Sequence, residues 1–160
     1  MTKNVVEQSK DFFSKAYQYQ VNGDYKKAIE NYLISIDLFP TPEAYTYLGW
    51  AYSLDGDLEK AIDECKNSID LDPEYGNPYN DIGAYLISQK KFDDAIPYLE
   101  MAINSKRYEN YHFAHYNLGR VFESKGLWFE ALDEYRTAFS IEPGFIAART
   151  LFNRLQGLMN

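Results

Sequence analysis

The chain has 160 residues, 46% of them hydrophobic and 17% aromatic, and a net charge of −8. That length supports one domain with a real core. The charge, with no basic run set against it, excludes nucleic acid and anionic membrane as partners. The single cysteine, Cys65, has no partner for an internal disulfide. The opening MTKNVVEQSKDFF lacks the apolar segment of a signal peptide, and no run approaches 18 apolar residues. A cytoplasmic setting is expected.

Helical signals begin near Asn4, where Val5 and Val6 form an early apolar cap. Further on, PEAYTYLGWAYSLDGD puts Tyr45, Leu48, Gly49 and Tyr52 on one helical face. Thr41 is a good N-cap, followed by Pro42 at the first helical position. Gly56 stops that helix and Asp57 caps the next, LEKAIDECKNSIDL, which presents Ala61, Cys65, Ser68 and Ile69 at helical spacing. Pro73 closes the pair. The small residues Gly49 and Ala61 allow two helix backbones to approach, with aromatics filling the volume on either side.

The same pattern recurs along the chain. Ala16, Gly49, Gly83 and Gly119 form one column; Ala28, Ala61, Ala95 and Ala131 a second; Tyr19, Tyr52, Leu86 and Phe122 a third. Gly23, Gly56, Lys90 and Gly126 mark the turns, and Pro40, Pro73, Arg107 and Pro143 the ends. A helix–turn–helix unit of this length and pattern resembles the tetratricopeptide repeat. The resemblance covers 9–41, 42–75, 76–111 and 112–145, with IAARTLFNRLQGLM over 146–159 as a terminal capping helix. It implies an all-α fold: an α-solenoid of antiparallel helix pairs, four units in one domain spanning 1–160, forming a right-handed superhelix with a concave groove.

Departures from the pattern carry expectations. Lys15 stands where the other units have Leu48, Ile82 and Leu118. Lys90 replaces the turn glycine and should strain that turn. Arg107 replaces the closing proline, and SKRYENYH adds two residues, so the array should bend or widen there. Pro97, one turn into its helix, should distort it only mildly.

No catalytic constellation is present: no GxGxxG, no GxxxxGK[ST] loop and no HExxH. His112 and His115 lie one turn apart, but no Cys/His cluster completes a metal site. His115 occupies the column of Phe12, Tyr45 and Tyr79 and reads as a packed imidazole. Cys65 shares a column with Tyr32, Leu99 and Tyr135 and reads as a structural thiol. No enzyme activity and no cofactor are expected. Nine tyrosines fall in packing columns or beside them: Tyr19, Tyr25, Tyr32, Tyr45, Tyr52, Tyr79, Tyr85, Tyr98 and Tyr135. Six do not: Tyr17, Tyr47, Tyr75, Tyr108, Tyr111 and Tyr116.

In arrays of this family the first helix of each unit lines the groove. Helical offsets then place Phe13 and Tyr17, with Gln20 at the edge, in the groove of the first unit. Thr46 and Trp50, flanked by Tyr47, follow in the second; Asn80 in the third; Tyr116 and Arg120, flanked by Asn117, in the fourth. Exposed aromatics and arginine suit a binding surface, and the asparagines suit an extended peptide backbone. Arg120 suits a carboxylate. The expected function is a non-catalytic scaffold that binds a peptide or helix, apolar with an acidic group or C-terminus. The heat-shock clamp of this family is not expected, because its basic and amide residues are absent from the first two units. Self-association, head to tail or through the terminal helix, whose Phe152, Leu155, Leu158 and Met159 are sticky if the end is not covered, is one alternative. A small chaperone for secreted proteins is another.

Overall fold

The computed structural model describes residues 4–160; Met1–Lys3 of the leader reading lie outside them. The first helix, α1 (Val5–Val21), starts where sequence places it, because Asn4 closes a capping box. The Asn4 Oδ1 accepts from the Glu7 N–H at 2.8 Å, and the Glu7 carboxylate accepts from the Asn4 N–H at 3.2 Å. Both bonds satisfy backbone donors that a helix start would otherwise leave open. After α2 (Tyr25–Leu38), Thr41 caps α3 (Pro42–Leu54), and Asp57 caps α4 (Leu58–Leu71). There follow α5 (Asn77–Ser88), α6 (Phe92–Asn104), α7 (Tyr111–Ser124), α8 (Trp128–Ile141) and α9 (Ile146–Met159). Among the described residues these nine helices are the regular structure.

Packing divides the chain into two compact units, one ending at Pro73 and one beginning at Glu74. In the first, α1 packs on α2, α2 on α3 and α3 on α4, and α1 also reaches α3. In the second, α5 to α9 pack in the same sequential order, and α5 also reaches α7. Each repeat is therefore a helix pair whose first helix lies beside the first helix of the next repeat in its unit.

The small column is what lets the pairs close. Ala16, Ala28, Ala61, Ala95 and Ala131 are fully buried. A Cβ on Gly49 would lie 2.8 Å from the Ala61 carbonyl oxygen, so only glycine fits there. Cys65 is fully buried, as its column predicts. At the turns, Gly23, Gly56 and Gly126 all have positive φ, and Lys90 is forced to +60°. A residue with a Cβ is strained in that region, as the missing glycine predicts. Pro97 lies inside α6 without ending it.

Polar side chains also enter the core, in matched pairs. Ser9 and Ser35 bond each other's side chains at 3.0 Å and each other's backbone carbonyls at 2.9 and 2.8 Å. Thr46 donates to the Pro42 carbonyl at 2.9 Å and meets Ser68 Oγ at the same distance. Thr46 is therefore buried, against the expectation that it projects into a groove. The hydroxyl has backbone and side-chain partners inside the helix pair, which offset the cost of leaving water.

A second correction concerns the extended connection SKRYENYH. Tyr75 and Tyr108, read as lying outside the packing columns, are buried at 7% and 5% exposure. The two added residues let Arg107 pair with the chain beside Tyr75. Its N–H donates to the Glu74 carbonyl at 2.9 Å, and its carbonyl accepts from the Gly76 N–H at 3.1 Å. The Arg107 guanidinium lies over the Tyr75 ring at 4.2 Å. The Tyr108 side chain fills the space where a Gly76 Cβ would stand, 2.3 Å from its own Cβ.

Candidate functional site

In the first unit, the exposed edge of α1 and α3 carries a connected set of rings. Phe13 meets Tyr47 edge-on, centroids 5.2 Å apart. Tyr47 meets Tyr17 at 6.0 Å and Trp50 at 5.8 Å, both edge-to-face. These are favourable geometries for aromatic quadrupoles. Tyr32 of α2 supports the set from beneath, 5.4 Å from Phe13. Tyr32 is fully buried, and its hydroxyl donates to Gln20 Oε1 at 2.9 Å. Burial holds that hydroxyl above its ordinary pKa, so it remains a donor.

The four sequence-predicted residues of this unit thus come together, in two roles. Phe13 and Tyr47 are partly buried against the core. Tyr17 and Trp50 stand out from it, at 39% and 42% exposure. Gln20, read as an edge residue, is buried. Beside Phe13 lies a cavity of about 200 Å³ lined by Val6, Ser9, Ser35 and Phe39 among others. Sequence offsets gave no sign of it, because Phe39 lies in a connector outside the helical columns.

In the second unit, α5 and α7 carry a polar chain. Asn117 Nδ2 donates to Asn80 Oδ1 at 3.0 Å, and Arg120 Nη1 donates to Asn117 Oδ1 at 3.2 Å. Asn117 is nearly fully buried. Both ends of its amide are engaged by neighbours, so it orients Arg120. The Arg120 guanidinium lies over the Tyr116 ring at 5.8 Å. Tyr116 in turn packs on Phe145 at 5.1 Å and Tyr135 at 6.1 Å.

Tyr116 and Arg120 open onto a cavity of about 410 Å³ that Glu123, Tyr135, Leu151 and Arg154 also line. The Tyr135 hydroxyl donates to Glu123 Oε2 at 2.7 Å, and Arg154 Nη2 donates to Glu123 Oε1. Burial first, and then the Glu123 bond, raise the Tyr135 pKa, so this donor stays protonated. Glu123 and Arg154 were not singled out by sequence. Glu123 lies one turn past Arg120 on α7, but Arg154 is on the terminal helix, outside the repeat.

The histidines take different surroundings. His115 Nδ1 bonds Glu134 Oε2 at 2.6 Å, half-buried between α7 and α8. His112 packs against Phe113 at 4.2 Å and Phe145 at 5.2 Å, and burial lowers its pKa. No group of three or more His, Cys, Asp or Glu side chains among the described residues is arranged to hold a metal ion. No helix among them is long and apolar enough to cross a membrane.

The family model of the tetratricopeptide repeat matches residues 42–75, which are α3, α4 and their flanking caps. No curated protein matches the chain. Among solved structures, a MamA protein is 28% identical over 95% of this chain and 84% of that one, with a TM-score of 0.74. PilF of Pseudomonas aeruginosa is 17% identical over 96% and 69%, with a TM-score of 0.88. PilW, a widely conserved type IV pilus biogenesis factor, is 18% identical over 94% and 69%, with a TM-score of 0.85. At those identities the last two show likeness of fold. Residues 42–75 carry the pattern of the tetratricopeptide repeat outright, and the small, aromatic and turn columns repeat on either side of them, as in an array of such repeats.

Proposed function

We propose that the protein is a non-catalytic interaction scaffold that binds a peptide or helix of a partner on the faces of its first helices. The observation that carries this reading is the ring set of the first unit. Tyr17 and Trp50 are exposed, yet each is fixed by an edge-to-face contact to Tyr47, which is itself packed on the core. Rigid, exposed aromatics bury much area on binding and lose little conformational freedom, which is the character of an interface hot spot. In the second unit Asn80, Asn117, Tyr116 and Arg120 present a polar counterpart, so the partner is apolar with an acidic group. The charge of −8 and the presence of a single cysteine, Cys65, accord with a cytoplasmic setting.

The test is partner capture from the native host with the parent protein and with Trp50→Ala and Tyr17→Ala. Truncating a hot-spot aromatic costs about 2 kcal/mol or more, a loss of about 30-fold in affinity. Helical content, read by circular dichroism, should not change, because both side chains lie outside the buried core. If both variants capture the partner as well as the parent does, this face is not the site.

Self-association is the second reading, favoured by exposed apolar side chains on the last two helices. Phe129 is 73% exposed and Leu158 69%, and patches of that kind mark contact surfaces. Light scattering over a concentration series decides it. A monomeric mass throughout eliminates it.

A further inference from the structure

We propose that the turn between α7 and α8 is a membrane-contact tip, at which Leu127, Trp128 and Phe129 enter the interface of an electrically neutral phospholipid surface. This goes beyond the scaffold reading and uses a different part of the second unit.

The four turns of the chain supply an internal comparison. Asp24, Asp57, Lys91 and Leu127 stand at equivalent positions, just ahead of α2, α4, α6 and α8. Two residues further on, Lys26, Glu59, Asp93 and Phe129 are equivalent. Both columns are charged in the first three turns and apolar in the fourth. Asp24 and Asp57 cap their helices by accepting from the Lys27 and Lys60 N–H groups. Leu127 has no such oxygen, and α8 starts without a side-chain cap bond. The missing cap weakens the helix start. Burial does not make good that loss: Leu127 is 39% exposed, Trp128 45% and Phe129 73%. A local rule broken with no gain inside the fold points to a partner outside it.

The surroundings suit a lipid interface. Met159 packs on the cluster that contains Ala131, one turn into α8, so α9 ends beside the tip, and Leu158 there is 69% exposed. Lys125, just before the tip, bonds Asp93 of α6, which brings the Lys90–Lys91 turn to the same end of the unit. Lys90, Lys91 and Lys125 are matched there by Asp93, Asp94 and Glu130. Balanced charge suits zwitterionic headgroups, whereas the net −8 of the chain disfavours anionic ones. Tryptophan, with an apolar ring and one polar N–H, is the side chain enriched at this boundary.

Shape decides between a bilayer and a second protein. Successive side chains at a helix start diverge by about 100°. Leu127, Trp128 and Phe129 therefore leave the tip in different directions. A protein groove takes helical residues three or four apart, on one face. A bilayer surrounds a tip and takes apolar groups at every angle. So few side chains give a weak, reversible attachment.

The experiment mixes the whole chain with excess phosphatidylcholine vesicles and reads flotation and tryptophan emission. Trp50→Phe leaves Trp128 as the reporter. Its emission should shift to the blue and be quenched by acyl-chain bromines near the headgroup. Trp128→Phe, which leaves Trp50, should show neither effect. Phe129→Asp should weaken partitioning about tenfold. Leu127→Asp should do the same while raising the urea midpoint, because it restores the cap, so loss of fold cannot account for the result. Added phosphatidylglycerol should not strengthen binding. No flotation, an unshifted Trp128, binding that requires phosphatidylglycerol, or full binding by Leu127→Asp overturns the proposal. So does a concentration-dependent dimer, dissolved by Phe129→Asp, in a chain that ignores vesicles; the tip then belongs to self-association. Trp50→Ala should float as the parent does, which separates failure of this proposal from failure of the scaffold reading.

Discussion

Gly119→Ala and Gly157→Ala are the same chemical change in two helices, and the structure assigns them opposite signs. A Cβ on Gly119 would lie 2.5 Å from Cδ1 and Cε1 of Tyr135. Carbon atoms settle about 3.5–4.0 Å apart, so the ring must retreat by about 1 Å. Tyr135 is held in place: it is fully buried in a cluster with Ala131 and Leu155, and its hydroxyl is tied to Glu123. Overpacking of this kind costs about 1–3 kcal/mol, against about 1 kcal/mol gained from replacing glycine in a helix. For a ring tethered at its hydroxyl the upper part of that range applies, about 2–3 kcal/mol, so the net is a loss of about 1–2 kcal/mol. A Cβ on Gly157 in α9 meets nothing within 4 Å. Only the helix-propensity gain remains there, so this variant should be stabilised by up to about 1 kcal/mol. Urea unfolding of the parent and both variants, followed by circular dichroism, measures the two shifts in midpoint at common slope. Gly119→Ala as stable as the parent would refute the claim that this column fixes the approach of α7 and α8.

Other consequences follow from single residues. Lys90 holds a positive φ of 60°, so Lys90→Gly should stabilise the chain by about 1 kcal/mol, read as a higher urea midpoint. Burial pushes the Asp81 carboxyl up to about 7, with the Asn80 hydrogen bond opposing. The folded chain therefore holds that proton longer than the unfolded chain. Its stability falls as pH rises from about 4 to about 7, by up to about 1.4 kcal/mol per pH unit, and is flat above. The difference between parent and Asp81→Asn, taken by urea unfolding at each pH, isolates this group from His112, whose lowered pKa acts in the opposite sense. A parallel pair of curves would exclude Asp81 as the source. Ser35→Ala should cost about 1 kcal/mol in the same assay, since it removes the hydroxyl that donates to the Ser9 carbonyl while the Ser9 hydroxyl keeps the Ser35 carbonyl.

The aromatic face of the first unit was legible in the sequence because it repeats: Tyr17 and Trp50 occupy equivalent positions, off the packing columns. The distinction between them and Phe13 or Tyr47 was not, because it depends on Tyr32 of α2 filling the space beneath. Thr46 was misread for a similar reason. Its hydroxyl finds Ser68 on the opposite helix, 22 residues on, and helical offsets treat one helix at a time. Tyr75 and Tyr108 were misread because the inserted connection pairs Arg107 with a segment 32 residues earlier, and no repeat column covers an insertion.

The sequence by itself determined the helices, their caps, the small column and the strained turn at Lys90. All of these rest on interactions within about four residues, or on a register copied from one repeat to the next. Only the tertiary structure decided which side chains from separate helices meet. His115 finds Glu134 19 residues away, Arg154 finds Glu123 at 31, and Asn117 finds Asn80 at 37. Those separations are set by how the helices pack, and no register within one helix fixes them.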